Sequence, residues 1–138
     1  MPLTADRTTP QRAGTDLELP VAAATKIFAG SIVAVNASGG AAGYATKGAT
    51  ATVLRGVGVA IEQADNSAGA AGDIRVKVRR GTWRFLNSAA ADQITAADIG
   101  ADCYIVDDQT VAKTNGSATR SVAGKVVDVE PAGVWVEF

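Results

Sequence analysis

The apolar residues of this chain come in short, β-branched runs, each closed off by glycine, asparagine, aspartate or serine, and that punctuation limits what it can fold into. Short strands and turns are written this way. No segment carries the apolar period of a long amphipathic helix. The clearest run is "GDIRVKVRRGTWRFLNS", residues 72–88. Ile74, Val76 and Val78 alternate with Arg75, Lys77 and Arg79, the period of two of a half-buried strand. The phase then slips, because Trp83 and Phe85 share the parity of the arginines, and a bulge or turn at Arg80-Gly81 would restore one buried face.

The other runs follow the same grammar. "IFAGSIVAVNASGGA" carries Ile32, Val33 and Val35 into a glycine-rich reversal. "TVLRGVGVAIEQA" sets Val53, Val57, Val59 and Ile61 against Gly56 and Gly58, whose missing side chains leave room for another backbone or a partner. Residues 62–73 read as a long connection without apolar anchors. Thr95, Asp98 and Gly100 predict one short capped helical turn. Asp107-Asp108-Gln109 predicts a hairpin, and Glu130-Pro131-Ala132-Gly133 a closing one that pairs Val127 and Val129 with Val134, Val136 and Phe138. These elements predict an all-β fold, a small β-barrel or jelly-roll-like sandwich over residues 20–138, preceded by an extended N-terminal arm over residues 1–19.

Composition narrows the function. A length of 138 residues with 47% apolar content suits one domain with a substantial core. Thirteen basic residues against 14 acidic ones give no overall field toward nucleic acid or an anionic membrane, and no run approaches the roughly 20 apolar residues of a bilayer span. No secretory address is visible at the start of the chain. There is no histidine, so serine-His-Asp and Cys-His catalysis are excluded and the commonest zinc ligand is missing. Cys103 has no internal disulfide partner, fits a reducing cytoplasm, and reads as a buried structural thiol. Asp107 and Asp108 form the one obvious carboxylate doublet, which a tight turn explains better than acid–base chemistry does, and the spaced ligand loop of a calcium site is missing. "RGVGVA" lacks the third glycine and the lysine of a nucleotide-binding loop, and no cofactor is expected.

The basic stretch remains. Arg75, Lys77, Arg79, Arg80 and Arg84 put five of the thirteen cations into ten positions, with Arg75, Lys77 and Arg79 on one side of a strand. An acidic pI and the absence of interleaved aromatics argue against nucleic acid. A protein partner with an acidic strip is the functional reading, and an ordinary solvated sheet face is the plain one.

Taken in order, "PVAAATKIFAGSIVAVNASGGA", "RGVGVAIEQADNSAGAAGDIRVKVRRGTWRFLNSA" and "DIGADCYIVDDQTVAKTNGSATRSVAGKVVDVEPAGVWVEF" resemble the tailed-phage capsid decoration proteins, also called structural cement proteins, of Mu-like and related phages. The resemblance spans Pro20 to Phe138 and contains no catalytic motif. It implies a non-enzymatic protein, made in the bacterial host cytoplasm, that binds the outer surface of an HK97-type head between capsomers and stabilises the mature expanded shell. Its partners would be the major capsid protein and further copies of itself, a trimer being favoured over a dimer, with no nucleic acid and no membrane. Leu17 and Leu19 would anchor the root of the arm on the β domain or on a sister subunit, leaving Arg7 and Arg12 to reach outward. Arg75, Lys77 and Arg79 would meet acidic groups of the shell or of a sister subunit. Two rivals use the same scaffold: a glycan-binding or host-adhesion module, disfavoured by an aromatic content of 5% with several aromatics at core-like positions, and a hydrolase with two facing carboxylates.

Overall fold

A computed structural model describes residues 1–138. The chain forms twelve strands. The first seven are β1 (Asp16–Pro20), β2 (Thr25–Ile27), β3 (Ile32–Asn36), β4 (Ala45–Lys47), β5 (Leu54–Ala60), β6 (Ala64–Asn66) and β7 (Arg75–Arg79). The rest are β8 (Thr82–Asn87), β9 (Asp102–Ile105), β10 (Thr110–Ala112), β11 (Val122–Glu130) and β12 (Gly133–Glu137), with 3-10 turns at Ala90–Asp92 and Ala96–Asp98. No helix is long and apolar enough to cross a membrane.

The strands build two units. An antiparallel sheet runs in the order β1-β7-β5-β3-β4, and its two edges meet where Val21, just past β1, bridges to Ala45 of β4. The second unit is a closed five-stranded barrel, β10-β8-β12-β11-β9, antiparallel except where β8 and β10 run parallel. A ribbon of β2 and β6 completes the fold.

Each unit has a core, and one core is shared. Val21, Ile27, Val33, Ala45, Ala60, Ala64, Val76 and Val78 cluster on one side of the sheet. Ile32, Ala34, Leu54 and Val59 of β3 and β5 join the barrel residues Phe85, Cys103, Ile105, Val111, Val126, Val134 and Val136 in the other cluster. β3 and β5 are thus buried on both faces, which is why they read as nearly continuous apolar runs and not as clean alternations. Phe138 closes the barrel core edge-on to Phe85, with ring centroids 5.8 Å apart.

The phase slip at Arg80-Gly81 is a handover between the two units. The valines of β7 face the sheet core, while Phe85 of β8 faces the barrel core with Trp83 packed against it. Gly81 takes a φ of +127° in the turn between them, a conformation open to glycine.

Four local readings need correction. The register between β3 and β5 jumps so that Val33 faces Gly58 and Ala34 faces Gly56, leaving Val57 as a bulge residue. The bulge turns Val57 toward the sheet core and Val59 toward the barrel, and Val53 and Ile61 lie exposed outside the strand. Val127 is likewise a bulge residue in the closing hairpin, 42% exposed, and Val126 takes its place opposite Val136. The connection 62–73 contains β6, held by backbone pairing to β2 and by the buried Asn66, whose side-chain amide donates to the carbonyls of Ala22 and Ala70, both at 2.9 Å. Finally, strand β1 starts at Asp16, ahead of Pro20, and the Thr15 carbonyl already accepts from Arg80 N–H at 2.7 Å, so the unpaired arm comprises residues 1–14.

Cys103 lies fully buried in the barrel, and burial pushes its thiol up to about 11, which keeps it protonated and unreactive. The predicted helical turn carries its capping box, with Asp98 reaching back to the Thr95 N–H at 2.8 Å.

The seam between sheet and barrel is set by Gly56. A Cβ there would lie 2.3 Å from the Ala123 carbonyl oxygen on β11, backbone against backbone with no flexible side chain to yield. Gly56→Ala should therefore destabilise the protein by about 1–3 kcal/mol in urea titration, because the seam must open to admit a methyl group. An unchanged midpoint would mean that the two units are not packed this closely.

Candidate functional site

The strand Arg75–Arg79 alternates as the sequence predicts. Val76 and Val78 are fully buried, and Arg75, Lys77 and Arg79 project from the opposite face. Their surroundings differ from an open cationic strip. β1 lies antiparallel beside β7, in a register that sets Asp16 opposite Arg79, Glu18 opposite Lys77 and Pro20 opposite Arg75.

Each cation of the strip has an acidic partner in the same chain. Arg79 grips both carboxylate oxygens of Asp16, donating from Nε at 2.8 Å and from Nη2 at 3.0 Å. Lys77 lies 3.6 Å from the carboxylate of Glu62, in the connection after β5. Arg75 lies 4.0 Å from the Glu18 carboxylate and donates to the Glu18 backbone carbonyl at 2.9 Å. Acidic groups facing the basic strip are supplied by this chain's own β1 and by Glu62. All of these groups are about half exposed, so the pairs sit in water and are screened by salt.

The hydrogen bonds from Arg79, followed by its charge, hold the Asp16 carboxyl below the usual carboxylate range, and Asp16 raises Arg79 in return. The rest of the quoted stretch divides. Arg84 donates to Glu130 at 2.9 Å and lies 5.9 Å from the ring centre of Trp135, whereas Arg80 has no ion partner.

Leu17 and Leu19 sit on the other face of β1 and pack against the sheet core. They anchor the root of the arm on its own domain. Beyond them residues 1–15 are exposed and form no strand, and Arg7 and Arg12 carry no ion pair. Arg12 hangs over a shallow groove of about 510 Å³ that it shares with Asp16, Glu18, Ile61, Arg75 and Lys77. The structure thus brings Arg12, Leu17, Leu19, Arg75, Lys77 and Arg79 to one edge of the sheet and leaves Arg7 out along the arm.

The acidic partners were missed in the sequence. "DLEL", residues 16–19, alternates charge and leucine with the same period of two as "RVKVR", with the opposite sign. Two such strands side by side neutralise each other, which is the signal that identifies β1 as a strand of the domain.

The carboxylate doublet serves its hairpin. Asp107 accepts from the Gln109 N–H at 2.9 Å, a side-chain turn, and the Asp108 backbone carbonyl accepts from Ile32 N–H at 2.8 Å, tying the hairpin to β3. No group of three or more Cys, Asp or Glu side chains converges in a metal-binding arrangement.

A lowered carboxyl contributes stability above its unfolded pKa and loses it as pH falls through the folded one. A double-mutant cycle with Asp16→Asn and Arg79→Gln, read by thermal melting, should show favourable coupling at neutral pH. The coupling should fade only below the ordinary carboxylate range and shrink in high salt. A coupling that does not respond to acid would mean that the two groups are not paired in solution.

Comparison with protein-family models, with curated proteins and with solved structures finds no match, so the functional reading rests on the residues and their geometry.

Proposed function

We propose that this protein is a non-enzymatic capsid decoration protein, binding the outer surface of an icosahedral phage head between capsomers and stabilising the expanded shell. The major capsid protein is its partner, together with further copies of itself in a small symmetric oligomer. The observation that carries this reading is the arm. Fourteen exposed residues leave a rigid two-core β body at the end of an edge strand, with Arg7 and Arg12 unpaired.

Where Arg75, Lys77 and Arg79 are already neutralised within the chain, a partner must displace Asp16, Glu18 or Glu62 to use them. The arm carries no such cost. Extended, its 14 residues span up to about 50 Å, enough to cross onto a neighbouring subunit. Ordering it loses roughly 1–2 kcal/mol per residue of backbone entropy, so each contact is modest and many repeats over a lattice supply the avidity. Relative to the sequence expectation, weight moves from the basic strip to the arm.

The test mixes the purified protein with undecorated expanded heads and with compact precursor shells, followed by sedimentation. The full chain should co-sediment with expanded heads and not with precursors, because a composite site exists only at the final subunit spacing. Deleting residues 2–14 should leave the melting temperature unchanged and abolish attachment, whereas charge reversal at Lys77 and Arg79 should weaken it less. Equal occupancy of both shell forms, or attachment that survives loss of the arm, would overturn the proposal.

A further inference from the structure

Of the seven aromatic residues, Phe28 alone is exposed, at 51%. It follows the buried Ile27 at the end of β2 and stands beside a depression of about 420 Å³, shared with Ala29, Gly30, Ser31, Asp108 and Gln109. This concavity lies between the sheet unit and the barrel, on surface used by neither the arm nor the basic strip.

We propose that this depression binds the ring of a neutral saccharide, a hexose or an N-acetylhexosamine. The reason is the combination of groups. An aromatic face offers stacking to the C–H face of a sugar, and Lys26, 5.0 Å from the Phe28 ring centre and paired with Asp65 at 3.5 Å, occupies one face and leaves the other to a ligand. Around it stand a hydroxyl (Ser31), a carboxylate (Asp108) and a carboxamide (Gln109), none of which makes a side-chain hydrogen bond or ion pair within the fold. Together they supply donors and acceptors for adjacent sugar hydroxyls.

The site is held in place before a ligand arrives. Ser31 N–H donates to the Phe28 carbonyl at 3.2 Å, Gly30 N–H to Ala60 at 2.8 Å, and Ile32 N–H to Asp108 at 2.8 Å, so the loop and the hairpin that form the two sides are locked to each other. Little ordering is left for binding to oppose. Charge selects among ligands: with Asp107 next to Asp108, a phosphate or a uronic acid would meet like charge. A purely apolar protein anchor over Phe28 would strip water from Asp108 without replacing its hydrogen bonds, whereas sugar hydroxyls replace them.

The test is a two-dimensional NMR titration of the full chain with methyl hexopyranosides and N-acetylhexosaminides, with methyl glucuronide as the charged control. Neutral glycosides should shift the amides of residues 26–31 and 107–109 with millimolar affinity, and the glucuronide should bind more weakly. Phe28→Ala and Asp108→Asn should each weaken binding roughly tenfold, while Phe28→Tyr retains it. Phe28 is exposed, so the alanine variant is expected to keep the wild-type melting temperature, which is measured alongside. The proposal is overturned if no glycoside perturbs the site, if Phe28→Ala binds as the wild type does, or if the glucuronide binds best. Loss of shell attachment in Phe28→Ala without any sugar binding would likewise overturn it and make Phe28 a protein-docking anchor.

Discussion

The rest of the structure depends on the approach of two backbones at Gly56 and Ala123. Because no side chain stands between β5 and β11 there, the open sheet can lay Ile32, Ala34, Leu54 and Val59 onto the barrel residues and share one core with them. The strands β3 and β5 become a wall common to two hydrophobic clusters. That arrangement explains how a chain of this size with many three-residue strands forms a body rigid enough to hold surface sites in place: the short strands β2, β4, β6 and β10 each pack against a wall buried on both sides or against the barrel.

A second constraint is electrostatic. The chain carries nearly equal numbers of acids and bases, and the fold uses that balance locally, with β1 and β7 presenting opposite charges across an antiparallel register. Pairing of this kind adds little stability in water. Its effect is on recognition, since it removes the basic strip as an open surface and leaves Arg12, over the groove beside β1, and Arg7, farther out along the arm, without ion partners. Register is set by the leucines, because a one-residue slip of β1 would turn Leu17 and Leu19 to solvent and place Asp16 and Glu18 over the sheet core.

Much of this was legible in the sequence because period-two patterns report a half-buried strand directly, as in Arg75–Arg79, and because turns need particular residues, as at Asp107–Gln109 and Pro131-Ala132. The all-β class follows from those signals. What was not legible has physical causes. Strands buried on both faces lose their alternation, and bulges at Val57 and Val127 reverse its phase, so the inner residues were misassigned there. β6 is held by main-chain pairing, one buried amide, Asn66, and a single buried alanine, Ala64, which together leave no apolar period in the sequence. Two partners of the basic strip, Asp16 and Glu18, lie about sixty residues away in sequence, and the side-by-side placement of "DLEL" and "RVKVR" arises only from topology. The Phe28 depression joins a loop after β2 to a hairpin of the barrel, so its members share no motif.

The central claim is that the rigid body begins at Thr15 and Asp16, with β1 sealed to β7 by the two leucines and the charge pairs, and that only residues 1–14 are free to reach a partner. Native-state hydrogen exchange of the full chain, read residue by residue, tests this most directly. The account predicts that amides up to Gly14 exchange at unprotected rates, while Leu17 and Leu19, whose N–H groups face β7, are protected to the same degree as Val76 and Val78. Exchange of Leu17 and Leu19 as fast as that of the arm would contradict it, because β1 would then belong to the mobile segment and the basic strip would stand open.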